Sequence, residues 1–154
     1  MKKALLIATS LISFGFLAGC QTTEQSEAPQ EVVAENMKMV TGTVSYRERI
    51  ALPENALVTV TLEDISLADA PSKVLATQEF TTDGKQVPFA FELKYDASQI
   101  KANHRYNVRA SIHVDSKLRF TTDTIAPVIT DAANTESLNL RLVGVNSLFS
   151  KRTN

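Results

Sequence analysis

The amino-acid sequence predicts an all-β domain, an antiparallel β-sandwich or flattened barrel of about seven to eight strands, carried on a flexible N-terminal tether. Three observations lead there. Beyond Lys38, apolar and polar residues alternate with period two, as they do in strands that turn one face to a core. Turn-forming residues interrupt this alternation roughly every ten residues. No segment repeats its apolar residues at helical spacing over the length of a long helix. With 154 residues, 44% of them hydrophobic, the chain suits one modest core rather than two.

The first strand alternates Val40, Gly42, Val44 and Tyr46 with Thr41, Thr43, Ser45 and Arg47. Leu52 to Ala56 then supplies a turn through its proline and asparagine. Val58, Val60 and Leu62, set against Thr59, Thr61 and Glu63, form a second strand rich in β-branched side chains. After the break SLADAPS, Val74 to Phe80 makes a third, less regular strand, and Asp83-Gly84 favours a tight hairpin turn. Val87, Phe89, Phe91, Leu93 and Tyr95 form the clearest alternating run, with Pro88, Ala90, Glu92 and Lys94 opposite, and are expected to carry the centre of the core. Pro88 has no N–H to donate, which places it near the start of that strand or along an open edge. The connection DASQIKANH holds a helical turn capped by Asp96 or Ser98. Tyr106, Val108, Ala110, Ile112 and Val114 follow, and DSK (Asp115 to Lys117) reads as a three-residue hairpin loop returning through Leu118, Phe120 and Thr122. APVITDAANTES is a longer loop with some extended character, and Leu138, Leu140 and Leu142 form the last strand.

The N-terminus is of another kind. Met1 to Lys3 is basic, Ala4 to Phe16 is apolar, and Leu17, Ala18 and Gly19 lead up to Cys20, the single cysteine. A helix needs about 20 apolar residues to cross a bilayer, so this run reads as a secretory leader. Leu17 to Cys20 resembles the lipobox of bacterial lipoproteins. That resemblance implies cleavage after Gly19, a diacylglycerol thioether on Cys20 and an N-acyl group such as palmitate on its new amine, with no other cofactor. It also implies that Gln21, standing where an aspartate would retain the product in the inner membrane, sends it to the periplasmic face of the outer membrane. Each buried methylene is worth about 0.8 kcal/mol, so several chains hold a protein on a bilayer where one would not. Cys20 is thus expected to be an anchor and not a reagent. From Gln21 to about Asn36 the chain is polar and acidic and cannot bury enough surface to order itself. Its 16 residues could span roughly 50 to 60 Å when extended. The organisation is therefore a signal peptide over 1–19, a lipidated cysteine and acidic tether over 20–37, a β-domain over 38–145 and a polar tail over 146–154.

The chain carries no catalytic constellation and no metal site that its spacing supports. Its two histidines, His104 and His113, have opposite strand parity and are expected on opposite faces. The serines lack a nucleophile elbow, and the aspartates fall mostly in turns, where a carboxylate satisfies local amides. Arg105 and Arg109 share the outward face of one strand. If DSK is a three-residue loop, His113 sits opposite Arg119 on that face. These four residues form either a solvated face balanced by glutamates of a neighbouring strand or a weak docking surface for an acidic or phosphate-bearing partner. Loss of Lys2 and Lys3 with the leader takes the formal charge from −1 to −3, which argues against nucleic-acid binding.

Two long segments, TGTVSYRERIALPENALVTVTLEDIS and PFAFELKYDASQIKANHRYNVRASI, together resemble the YbaY/YscW family of small outer-membrane lipoproteins, over Thr41 to about Ile129. The resemblance implies a β-sandwich on a lipid anchor with no catalytic motif. Members of the YscW branch act as pilotins, which bind a secretin subunit and carry it to the outer membrane. The reading is a non-enzymatic, pilotin-like module that binds an envelope protein, with a secretin as the candidate partner. The other class is a carrier or enzyme acting on envelope lipids or glycans, which would need a concave pocket with convergent polar groups. Mass spectrometry of the mature N-terminus is expected to find Cys20 first and acylated; an unmodified cysteine would overturn the anchor.

Overall fold

The computed structural model describes residues 36–145; the leader, Cys20, Gln21, the tether up to residue 35 and the tail over 146–154 lie outside the described residues. Eight strands follow in order: β1 (Met37–Tyr46), β2 (Leu57–Asp64), β3 (Lys73–Thr81), β4 (Phe89–Asp96), β5 (Tyr106–Val114), β6 (Lys117–Thr122), β7 (Pro127–Val128) and β8 (Ser137–Gly144). A 3-10 turn, Ala97–Gln99, links β4 to β5. Asp96 caps it by accepting the Ser98 amide at 2.8 Å, as its position in the sequence suggests.

These strands form one sheet, in the order β3-β2-β5-β6-β8-β1-β4, with β7 paired to β5. Of the two architectures expected, the two-layered sandwich is not the one formed; the strands make a single sheet that curls into a nearly closed barrel. A period-two pattern specifies which side of a strand faces the core, and it is the same for both architectures. The edge strands β3 and β4 meet through side chains instead of a backbone ladder. The carboxamide oxygen of Gln78 accepts the Glu92 N–H at 2.7 Å, and the rings of Phe80 and Phe89 meet edge-on at 5.9 Å. The pairings are antiparallel except one: β1 runs parallel to β8, from Thr41 opposite Ser137 to Tyr46 opposite Leu142.

The alternation predicted for each strand fills the interior. In β4, Phe89, Phe91, Leu93 and Tyr95 are buried while Ala90, Glu92 and Lys94 are exposed. Val40 and Val44 of β1, Val58, Val60 and Leu62 of β2, Tyr106, Val108 and Ile112 of β5 and Leu140 and Leu142 of β8 complete the core. Burying each large aliphatic or aromatic side chain contributes roughly 1.5 to 3 kcal/mol. Gly42 occupies an inward position of β1 for want of space: a Cβ there would lie 1.9 Å from the Leu138 carbonyl oxygen and 2.8 Å from Cζ of Phe91. The glycine lets the Phe91 ring and β8 close against β1.

Two turns differ from expectation. Asp83 and Gly84 have φ of 48° and 78°, and the Lys85 N–H donates to the Thr82 carbonyl at 2.8 Å, so the tight turn forms. It does not make a hairpin, because β3 and β4 occupy opposite edges of the sheet. The chain is instead fastened to the Leu52–Ala56 turn: Thr82 Oγ1 donates to the Pro53 carbonyl at 2.7 Å, and the Gln86 side chain bonds both the N–H and the C=O of Leu52. The loop between β5 and β6 is two residues, Asp115 and Ser116, both with positive φ. His113 therefore lies opposite Leu118, not Arg119, and a bulge restores Ile112 to Phe120.

The pairings define two ends of the barrel. Met37, where the chain enters β1, shares an end with Asp64, Lys73, Asp96 and Tyr106; Tyr46, Leu57, Phe89, Lys117 and Gly144 lie at the other. We call these the entry end and the far end. Gly42→Ala is expected to lower stability by about 3 kcal/mol through overpacking, against about 1 kcal/mol for Gly84→Ala at its positive φ. Urea midpoints of the two variants measure the difference.

Candidate interaction site

The four residues singled out as a docking surface do not converge. Arg105, Arg109 and His113 stand four residues apart along β5 and its lead-in, which puts about 13 Å between neighbours. Arg105 is at the entry end and His113 at the far end. Arg109 is balanced by the neighbouring strand: its Nε lies 3.2 Å from Glu63 Oε2. Glu63 is buried, and it also accepts from the Ser72 hydroxyl at 2.7 Å and from Asn107 Nδ2 at 3.1 Å. Three donors around one buried carboxylate stabilise the outer face of β2 where the chain bulges. Arg119 is exposed at the far end, as the residue left without an opposite number by the β5–β6 bulge.

His104 has a structural partner that strand parity did not reveal. Pairing of β2 with β5 sets Asp64 opposite Tyr106, and this brings His104 Nδ1 to 2.6 Å from Asp64 Oδ2. The other oxygen of Asp64 accepts both the amide and the hydroxyl of Ser66. The Arg105 N–H donates in turn to the Ser66 hydroxyl at 2.8 Å, and Thr130 Oγ1 donates to the His104 carbonyl at 2.6 Å. The carboxylate thus latches two connecting segments, and the His104 carbonyl holds a third. Ser66 and His104 both face Asp64, so the set lacks the nucleophile-to-base contact that a hydrolytic triad needs. His104 also lines a cavity of about 220 Å³ with Leu67, Lys73, Leu75 and Lys101, below the roughly 300 Å³ at which small-molecule pockets begin.

The far end is open. A groove of about 720 Å³ lies where β3 and β4 part, walled by Phe80, Pro88 and Phe89 and rimmed by Asp83 and Lys85. A second groove, of about 340 Å³, is lined by Ile50, Leu118, Phe120 and Val145, with Glu48, Lys117 and Arg119 around it. Ile50 and Leu118 are 51% and 40% exposed, which is high for large aliphatic side chains. Glu48 is engaged within the fold, accepting the Gly144 N–H at 2.9 Å through one oxygen and the Arg47 N–H at 3.1 Å through the other. His113 and Arg119, singled out from the sequence, do lie at this end, but the grooves themselves have no local signal there because their residues come from four separate segments.

A model of the type III secretion system lipoprotein chaperones (YscW) matches residues 35–140, which is the whole barrel but for the end of β8. The chain belongs to the YscW family. Within that setting it is 48% identical over 101 residues to the uncharacterized lipoprotein YbaY of Escherichia coli (strain K12), a match covering 66% of this chain and 53% of that protein. The chain thus spans about half the length of this relative. Among solved structures it resembles an alternative pilotin from the type II secretion system of Vibrio cholerae, with 58% identity, a TM-score of 0.69, and coverage of 71% of this chain and 97% of that one. The family and both relatives are thus lipoprotein chaperones, lipoproteins or pilotins, as the resemblance read from the two long segments implied.

The latch carries a pH signature. Burial pushes the Asp64 carboxyl upward, but the hydrogen bonds from Ser66 and His104 together with the His104 charge outweigh it and hold the group at about 2, against an ordinary 3.8. A carboxyl lowered on folding stabilises the native state above its unfolded value, and that contribution drains away as pH falls from about 4 through about 2. Between pH 4 and pH 2 the chain is expected to lose on the order of 1 to 2 kcal/mol more than Asp64→Asn does, as read from urea midpoints.

Proposed function

We propose that this chain is a pilotin-like lipoprotein chaperone, acylated on Cys20, sorted by Gln21 to the periplasmic face of the outer membrane, and acting without catalysis. It binds a component of a secretion machine, with a secretin subunit as the candidate, and accompanies it to the outer membrane. What carries the reading is the 58% identity to an alternative pilotin over 97% of that protein, together with the family match over residues 35–140. The site chemistry agrees. The one histidine–aspartate pair among the described residues is committed to holding loops together, while the grooves at the far end present apolar side chains to solvent. An exposed apolar groove on a small domain is a protein-binding feature more than a catalytic one.

In this reading the acyl groups fix the location, the acidic tether supplies reach, and the barrel holds the cargo. Deleting the gene in its native host is expected to shift the secretin from outer-membrane to inner-membrane fractions. The wild-type gene restores the distribution, and Cys20→Ala, exported but not acylated, fails to restore it. A secretin distribution indifferent to the deletion would refute the proposal.

A further inference from the structure

The second far-end groove lies among a group of cations. Arg47 and Arg49 leave β1, Lys117 and Arg119 open β6, and Arg141 lies on β8 beside them, and all five are exposed. The ion pairs among the described residues are His104 with Asp64 and Arg109 with Glu63, so none of these five cations is paired. Nearby carboxylates are otherwise engaged: Glu48 accepts backbone amides, and Asp115 accepts from Asn55 Nδ2 at 2.8 Å. Glu54 and Asp83 lie by the other groove, where the Asp83 N–H donates to the Glu54 carbonyl. Ile50 and Leu118 share the groove with Lys117 and Arg119, and Arg47 and Arg141 line a neighbouring depression that meets it at Glu48.

Unpaired cations around solvated aliphatic side chains, on a chain whose mature charge is negative, make a local field that attracts negative charge and a floor that attracts apolar side chains. We infer that this groove, framed by Ile50, Leu118, Lys117 and Arg119, is the docking surface for an acidic, amphipathic segment of a partner protein. The inference rests on the proposed chaperone role and names the partner chemistry of that role. Anionic lipid headgroups share the charge but fit less well. The chain enters β1 at the opposite end, about 30 Å away along a ten-residue strand. A bare headgroup would also leave Ile50 and Leu118 uncovered.

The test uses the mature chain carrying Cys20→Ser and two labelled synthetic peptides. In one, leucines at every third and fourth position are flanked by glutamates; in the other, lysines replace the glutamates. The glutamate peptide is expected to bind and the lysine peptide not to. Binding should weaken with added salt and fall at least about tenfold in the double variant Lys117→Glu/Arg119→Glu, but not in Lys38→Glu/Lys94→Glu near the entry end. Leu118→Ser, which keeps every cation, is expected to weaken the glutamate peptide as well, and thermal melts of each variant establish that it is folded. Equal binding of both peptides, or indifference to the Lys117/Arg119 reversal in a folded variant, would overturn the inference. So would phosphatidylglycerol vesicles captured through Lys117 and Arg119 in preference to the peptide, or peptide binding that appears only when residues 146–154 are removed, which would make the tail the occupant. Secretin fractionation with the double variant separates the two proposals. If the deletion misdirects the secretin and the double variant restores it, the chaperone role stands and the groove falls. If the deletion has no effect while the glutamate peptide binds as described, the chaperone role falls and the groove stands.

Discussion

The barrel depends on where β1 lies. This strand is hydrogen-bonded on both sides, antiparallel to β4 and parallel to β8, so the start of the folded domain is built into the sheet between its middle and its end. Gly42 makes that insertion possible by leaving room for the Leu138 carbonyl on one side and the Phe91 ring above. The pairing of β1 with β8 joins residues nearly a hundred positions apart, a sequence separation of the kind that raises contact order and slows folding. The sheet's edges are left to β3 and β4, and these close through the Gln78 side chain and two phenylalanines. A side-chain closure leaves a groove where a ladder would not.

Much of this was legible residue by residue, but little of it as topology. The alternation of Phe89, Phe91, Leu93 and Tyr95, and of Tyr106, Val108, Ala110 and Ile112, correctly predicted which side chains enter the core. Pro88 sits just before β4, an edge strand, as its missing donor requires. Period two is indifferent to which strand lies beside which, so neither the parallel β1–β8 pair nor the single curled sheet could be read from it. Asp83-Gly84 formed its turn, yet the turn joins two edges of the sheet and not two neighbours. At the site the limit was register. A loop of two residues where three were expected moved Arg119 away from His113, and the pairing of β2 with β5 that joins His104 to Asp64 has no trace in local sequence.

The polar residues divide by end. At the entry end, Asp64, Ser66, His104 and Thr130 bind one another and backbone groups, and Asp131 closes its own loop through the Ala133 and Thr135 amides. Residue types common in enzyme sites serve there as staples for long connections. At the far end the arginines and lysines have no such work.

The position of β1 also bears on mechanics. A load applied between the two ends of this barrel is carried along its strands. The chain enters β1 at Met37 and runs the length of the barrel, so a pull on the chain at Met37 loads the ladders to β4 and β8 along the strand axis. Bonds loaded in this way share the strain and fail together, whereas a strand drawn off sideways loses them one by one. With hydrogen bonds on both flanks, the first strand of this domain is placed to resist being unzipped by a pull on its N-terminal end.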